Sequence, residues 1–251
     1  TLTLNGAIRA NGSLGGTGGG GGAGGTVRIT AATMASATGT IEANGGNGGA
    51  QSSWRGGGGG SGGRILVNVS SSDSYFPAQI NKVSATGGAG GFGNAASGVG
   101  GAPGPTLVYS VGGLSIYKLD NTNSSATNNT IGSEYNSLSF TTASIRNAYL
   151  SWTANSSFTA TDLNLQGTNN FVNSNWAFVV GNLRTAGTLN GNAVFSVTGD
   201  AYLAGALSVT SLARVKTTGN LSLTGSVTAA STVSFVVGGN ATLSGASSIT
   251  M

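Results

Sequence analysis

The sequence predicts an all-β protein: a parallel β-helix, or β-solenoid, in its second half, and short strands joined by long glycine tracts in its first. Three observations predict this. A phrase of Asn or Asp, an apolar residue, a spacer, usually Leu, a spacer and Gly recurs five times after residue 161, at spacings of 20, 18, 20 and 20 residues. A fixed period of that length marks one unit stacked on itself. Glycine supplies 46 of 251 residues and gathers in three tracts between matched strand-like segments. Apolar and polar residues alternate, and no apolar spacing of three and four lasts long enough for a helix.

Residues 1–111 repeat strand, glycine tract, strand. Ile8-Arg9-Ala10-Asn11-Gly12 is matched by Ile41-Glu42-Ala43-Asn44-Gly45, 33 residues later, and by Val83-Ser84-Ala85-Thr86-Gly87 after a further 42. Each is a short alternating segment running into glycine. Second strands follow the tracts at Thr26-Val27-Arg28-Ile29, Arg64-Ile65-Leu66-Val67-Asn68-Val69 and Thr106-Leu107-Val108-Tyr109. A flexible, disordered linker is the alternative reading of these tracts, but linkers do not usually recur in register between matched strands. The tracts therefore read as extended threefold helices of polyglycine II type, packed side by side and bonded through the backbone, since residues without side chains permit that approach. Ordering glycine is entropically costly, so only a packed bundle would hold it.

Residues 112–160 form a less regular β bridge. Leu114, Ile116, Leu138, Phe140, Ile145, Leu150 and Trp152 show local period-two alternation. The Asn-rich residues 120–129 read as a surface loop.

Residues 161–251 carry the regular coils. The polar position of each phrase falls at Asp162, Asn182, Asp200, Asn220 and Asn240, and the closing glycine at Gly167, Gly187, Gly205, Gly225 and Gly245. Leu165, Leu203, Leu223 and Leu243 hold the third position after the polar one, with Thr185 the exception. Coils of this kind rise about 4.8 Å each. Leu, Val and Ala would point inward, and the glycines would turn corners. The Asn/Asp column would form a ladder in which each side chain bonds nearby backbone or its counterpart one coil away.

Composition narrows the chemistry. With no Cys and no His, disulfide scaffolds, thiol catalysis and imidazole acid–base work are excluded. Charged residues are only 6%, and the net charge of +4 reflects scarce acids more than abundant bases. No clustered basic stripe suggests nucleic acid, and no run of 18 apolar residues suggests a membrane-spanning helix. The ladder is poor in acids, unlike calcium-binding repeats. The glycine tracts lack the Gly-Lys-Ser/Thr ending of a phosphate-binding loop. Asp162 and Asp200, two coils apart with Asn182 between them, offer the one spacing compatible with paired carboxylates, and their position in the turn ladder accounts for them more simply. No catalytic, cofactor-binding or metal-binding residue is assigned. Trp54, Phe76 and Phe92, in or beside the tracts, are candidates for stacking on sugars or anchoring a partner, with capping of the bundle or packing against the strands as the alternative. Asn-x-Ser/Thr sites occur at Asn11, Asn68, Asn123, Asn128, Asn155, Asn220 and Asn240.

The stacked Gly-Asn-Leu-Ser-Leu-Thr-Gly at residues 219–225 and its relatives resemble the right-handed parallel β-helices of secreted bacterial adhesins, such as filamentous haemagglutinin-like exoproteins and autotransporter passengers. The resemblance covers mainly residues 161–251. The glycine tracts are similar to the polyglycine bundles of phage adhesins. Low charge, many hydroxyls and amides and no thiols suit an extracellular or cell-surface setting, and the lack of His and of clustered acids argues against an enzyme; no cofactor is expected. The protein would be a fibre or filament subunit, or a segment of a large adhesin. Alternatives are a phage tail-fibre or glycan-binding recognition module and, less well supported, a polysaccharide-degrading enzyme. No family functional residue carries over. No cap is visible at Thr1-Leu2-Thr3-Leu4 or at Ile249-Thr250-Met251. The expectation is therefore either a piece of a longer chain or coils that stack from subunit to subunit.

Overall fold

A computed structural model describes residues 1–35, 37–102, 104–109, 114–120, 128–131, 138–152, 157–171, 177–209, 212–229, 232–244 and 248–250. The chain is all-β with predominantly parallel pairing, consistent with a β-solenoid-like fold. It divides into two compact units, Thr1–Thr127 and Asn128–Met251.

The first unit contains β1 (Leu2–Thr3), β2 (Ala7–Arg9), β3 (Thr26–Ala35), β4 (Thr40–Glu42), β5 (Arg64–Asp73), β6 (Val83–Ser84), β7 (Thr106–Tyr109) and β8 (Ser115–Asp120). β2, β4 and β6 form one parallel sheet, with Ile8 beside Ile41 and Ile41 beside Val83. The strands that follow the tracts form another: β1, β3, β5 and β7 run parallel, and β8 returns antiparallel to β7. The matched segments of the sequence are thus matched rungs. Their inward residues Val27, Ile29, Ile41, Ile65, Val67, Val83 and Val108 form one buried core. Burying each such aliphatic side chain contributes about 1.5–3 kcal/mol.

Two features of this unit go beyond the sequence reading. β3 and β5, which begin at the segments read as strand starts, run on to Ala35 and Asp73, with a register shift between Ala31 and Thr33. Parallel pairing carries the small residues Thr30 and Ala31 along, beside Asn68 and Val69. The chain is also not wholly strand and loop, because Phe76–Gln79 makes one helical turn with Pro77 in its first positions. Asp73 Oδ1 opens it by accepting the N–H groups of Tyr75 (2.9 Å) and Phe76 (3.1 Å).

The second unit continues with β9 (Asn128–Ile131), β10 (Ser139–Arg146), β11 (Tyr149–Trp152), β12 (Ser157–Phe171), β13 (Ala177–Gly191), β14 (Ala193–Val197) and β15 (Ala201–Val209). It closes with β16 (Leu212–Thr217), β17 (Leu221–Leu223), β18 (Ser226–Ala229), β19 (Thr232–Val237), β20 (Ala241–Leu243) and β21 (Ser248–Thr250). Every pairing among its described strands is parallel. Register follows the sequence period: Asp162 sits beside Asn182, Leu183 beside Ala201, Ala201 beside Leu221 and Leu221 beside Ala241. Leu165, Thr185, Leu203, Leu223 and Leu243 form one column. The first four are buried, while Leu243 is 55% exposed. Phe158, Phe178 and Phe195 form a second column, in which the Phe178 and Phe195 rings stack at 5.1 Å. Asn128 and Asn129 correct the predicted surface loop, since both lie in β9 beside Tyr149 and Leu150. Residues 121–127 lie outside the described residues.

Candidate functional site

The repeated polar position forms a hydrogen-bonded ladder. Asn182 Nδ2 donates to Asp162 Oδ1 (2.9 Å), and Asn182 Oδ1 accepts the Asp200 N–H (3.2 Å). Asp200 Oδ1 accepts both the N–H (2.8 Å) and Nδ2 (3.1 Å) of Asn220, whose own Oδ1 accepts the Asn240 N–H (3.0 Å). The rungs at Asn182, Asp200 and Asn220 each satisfy a backbone donor at the corner of the next coil. The glycine column keeps that corner narrow. Gly167, Gly187 and Gly205 have φ of +66°, +134° and +114°, and a Cβ at Gly187, Gly205 or Gly225 would run into the carbonyl of the glycine one coil before. Gly245 lies outside the described residues.

Beside the ladder, Asn182, Asp200 and Asn220 share an open groove of about 450 Å³ with Arg184, Tyr202 and Ser222. The last three are register partners on successive strands. Asp162 and Asp200 do not meet as a carboxylate pair. Asn182 bridges them, and each Oδ1 is held by an asparagine.

The glycine tracts of the first unit form a hydrogen-bonded array. Outgoing tracts 10–18, 43–51 and 84–92 lie parallel. Gly12, Gly15 and Gly18 donate to the carbonyls of Asn44, Asn47 and Ala50, and Gly45, Gly48 and Gln51 to those of Thr86, Ala89 and Phe92. Returning tracts lie antiparallel against them: Gly57, Gly60 and Gly63 donate to Gly49, Gly46 and Ala43. The donors advance by three residues in every case, which is the repeat of a threefold helix. Glycine fills the inward positions because no side chain fits there. A Cβ at Gly46, Gly49, Gly57 or Gly60 would overlap a backbone carbonyl of the adjoining tract.

Side chains on the outgoing tracts return every third residue, at Asn11, Leu14 and Thr17, then Asn44, Asn47 and Ala50, then Thr86, Ala89 and Phe92. Three asparagines there bond laterally. Asn11 Oδ1 accepts the Asn44 N–H (2.8 Å), Asn44 Oδ1 the Thr86 N–H (2.9 Å), and Asn47 Oδ1 the Ala89 N–H (2.9 Å). Sequence reading missed this lattice. Its signal was the phase Asn44-Gly-Gly-Asn47-Gly-Gly-Ala50, a polar residue every third position rather than glycine alone.

At the base of the tracts, Glu42 accepts hydrogen bonds from Asn11 Nδ2 (3.0 Å), Arg9 Nε (2.9 Å) and Thr40 Oγ1 (2.9 Å). The amide of Asn11, and then Arg9, hold its carboxyl below the ordinary 4.5.

Of the candidate contact residues, Trp54 is 70% and Phe92 68% exposed, both at the tract tips, where Gln51 bridges Gly93 and Arg55 bridges Ala96. Phe76 is corrected. It is fully buried, in edge-to-face contact with Tyr75, and belongs to the core because its helical turn folds it under the sheet strands. Comparison with protein-family models, with curated proteins and with solved structures gives no match.

Proposed function

We propose that this chain is an extracellular structural or adhesive β-solenoid, a filament subunit or a segment of a large surface adhesin. In this reading the second unit is a right-handed parallel β-helix and the glycine tracts are polyglycine II helices. The observation that carries it is the register of the second unit, where the polar, leucine and glycine columns recur on successive parallel strands. Such stacking directs main-chain bonds along one axis and gives mechanical continuity without a reactive centre. Electron microscopy of the purified protein tests it. Long regular filaments support the reading, and compact monodisperse particles at every concentration count against assembly.

A second reading, a phage tail-fibre or glycan-binding recognition module, is favoured by the exposed Trp54 and Phe92 at the tract tips. A polysaccharide-degrading enzyme is disfavoured by the ladder bonds that occupy Asp162 and Asp200. It would require that Asp162→Asn/Asp200→Asn abolish a measurable cleavage.

A further inference from the structure

The asparagine lattice on the outgoing tracts stops short of their tips, and what it leaves open has the chemistry of a binding site. The rule of the lattice is lateral: an Asn on one tract accepts the outward N–H of the residue at the same level on the next. Asn11 serves Asn44, Asn44 serves Thr86, and Asn47 serves Ala89. One turn nearer the tips, Leu14 stands where an Asn would serve Asn47. One turn further, Thr17 and Ala50 stand where acceptors would serve Ala50 and Phe92. Among the described residues, the N–H groups of Leu14, Thr17, Asn47, Ala50 and Phe92 consequently have no acceptor; the carbonyls of Asn47, Ala50 and Phe92 are bonded, while those of Leu14 and Thr17 are open as well. All five residues are exposed.

These same residues line one shallow groove of about 470 Å³, floored by glycine and walled by Leu14 and Phe92, which are 71% and 68% exposed. At Asn47, Ala50 and Phe92 the open backbone groups are donors alone, which favours ligands rich in acceptors. An apolar rim with an exposed aromatic ring selects the faces of rings. Charge supplies the third term. Arg55, exposed beside Trp54 in the adjoining tip, is the only charged residue in residues 10–25, 43–63 and 84–104. No carboxylate stands in these segments to repel an anion.

We infer that the tips of the glycine tracts bind an acidic polysaccharide. Backbone N–H groups would meet its carboxylate or sulfate oxygens, Phe92 and Leu14 its ring faces, and Arg55 its charge. The inference deepens the adhesive side of the proposed function and rests on it. Its test uses the dispersed chain, so it reads independently of whether filaments form.

The experiment measures binding of the full chain to polygalacturonate, heparin and dextran, as carboxylated, sulfated and neutral probes. Expected is binding to one or both acidic polymers at least about tenfold tighter than to dextran, weakening as salt rises. Arg55→Gln and Phe92→Ala should each lower affinity about tenfold. Leu14→Asn is the most discriminating variant. By the lattice rule its new side chain caps the Asn47 N–H, so affinity falls while thermal stability holds or rises. A merely structural role for Leu14 would not separate the two. Arg214→Gln/Lys216→Gln, in the other unit, should bind as the unaltered chain does. Equal binding to dextran, no binding to either acidic polymer, unchanged affinity in Leu14→Asn and Arg55→Gln, or loss in the Arg214/Lys216 variant would each overturn the inference.

Discussion

Gly205 shows how a single residue sets the corner of a coil. Its φ of +114° is one that L side chains rarely adopt, and a Cβ would strike the Gly187 carbonyl. Gly205→Ala should therefore destabilise the protein by about 2 kcal/mol or more in urea titration. Gly16→Ala is the contrast, because nothing stands within 4 Å of its Cβ position and its φ is unexceptional. That substitution should stay within about 0.5 kcal/mol of the unaltered protein, and equal losses at both sites would defeat the steric account. Glu42 gives a pH signature at the same scale. Its folded pKa lies below the ordinary 4.5, so its contribution is complete above that value and is lost as pH falls through the folded value. The melting temperature of the unaltered protein should thus fall more steeply below pH 4.5 than that of Glu42→Gln. Parallel curves would show that the bonds from Asn11 and Arg9 contribute nothing.

Among elements, the glycine tracts carry the sharpest expectation. A disordered tract would exchange all its amide hydrogens at once. In the hydrogen-bonded array, Gly46, Gly49, Gly60 and Gly88 donate to neighbouring tracts and should exchange slowly, while Leu14, Thr17 and Ala50 should exchange fast. Amide exchange read residue by residue decides between them, and a uniform fast rate would refute the array. The phenylalanine column is tested by Phe178→Ala, which empties a fully buried site between Phe158 and Phe195 and should cost about 3–5 kcal/mol. The sequence displayed some elements far better than others, for physical reasons. Parallel stacking places the same local problem at the same position of every coil, so Leu165, Leu203 and Leu223 and the glycines two residues on declared themselves by recurrence. The second half of β3 did not, because Thr30, Ala31 and Thr33 are small and become strand only through partners on β5. Phe76 misled for a similar reason: its proximity to the tracts in sequence hid a helical turn that folds it into the core. The lattice of Asn11, Asn44 and Asn47 was legible only to a search at period three, which the longer strand-and-tract repeat obscures.

For the molecule as a whole, the decisive question is whether coils of one copy continue onto another. In the second unit, β19, β20 and β21 each pair with an earlier strand, at β16, β17 and β18, and with no later one among the described residues. In the proposed filament these strands would pair onward with strands of a further coil. The side chains there do little to oppose such pairing, since Val236 is 50% and Leu243 55% exposed and no Lys, Arg, Asp or Glu occurs after Lys216. Natural edges that must stay single commonly carry such a charge. The proposed filament therefore predicts a meridional reflection near 4.7–4.8 Å from aligned material, the strand spacing along the fibre axis. It also predicts that Val236→Lys/Leu243→Lys prevents assembly while leaving the β-sheet circular dichroism and melting temperature nearly unchanged, since both positions are already half open to solvent. If that double variant still forms filaments with the same diffraction, assembly proceeds through another surface, and the end-to-end account of this unit fails even though its internal coil register stands.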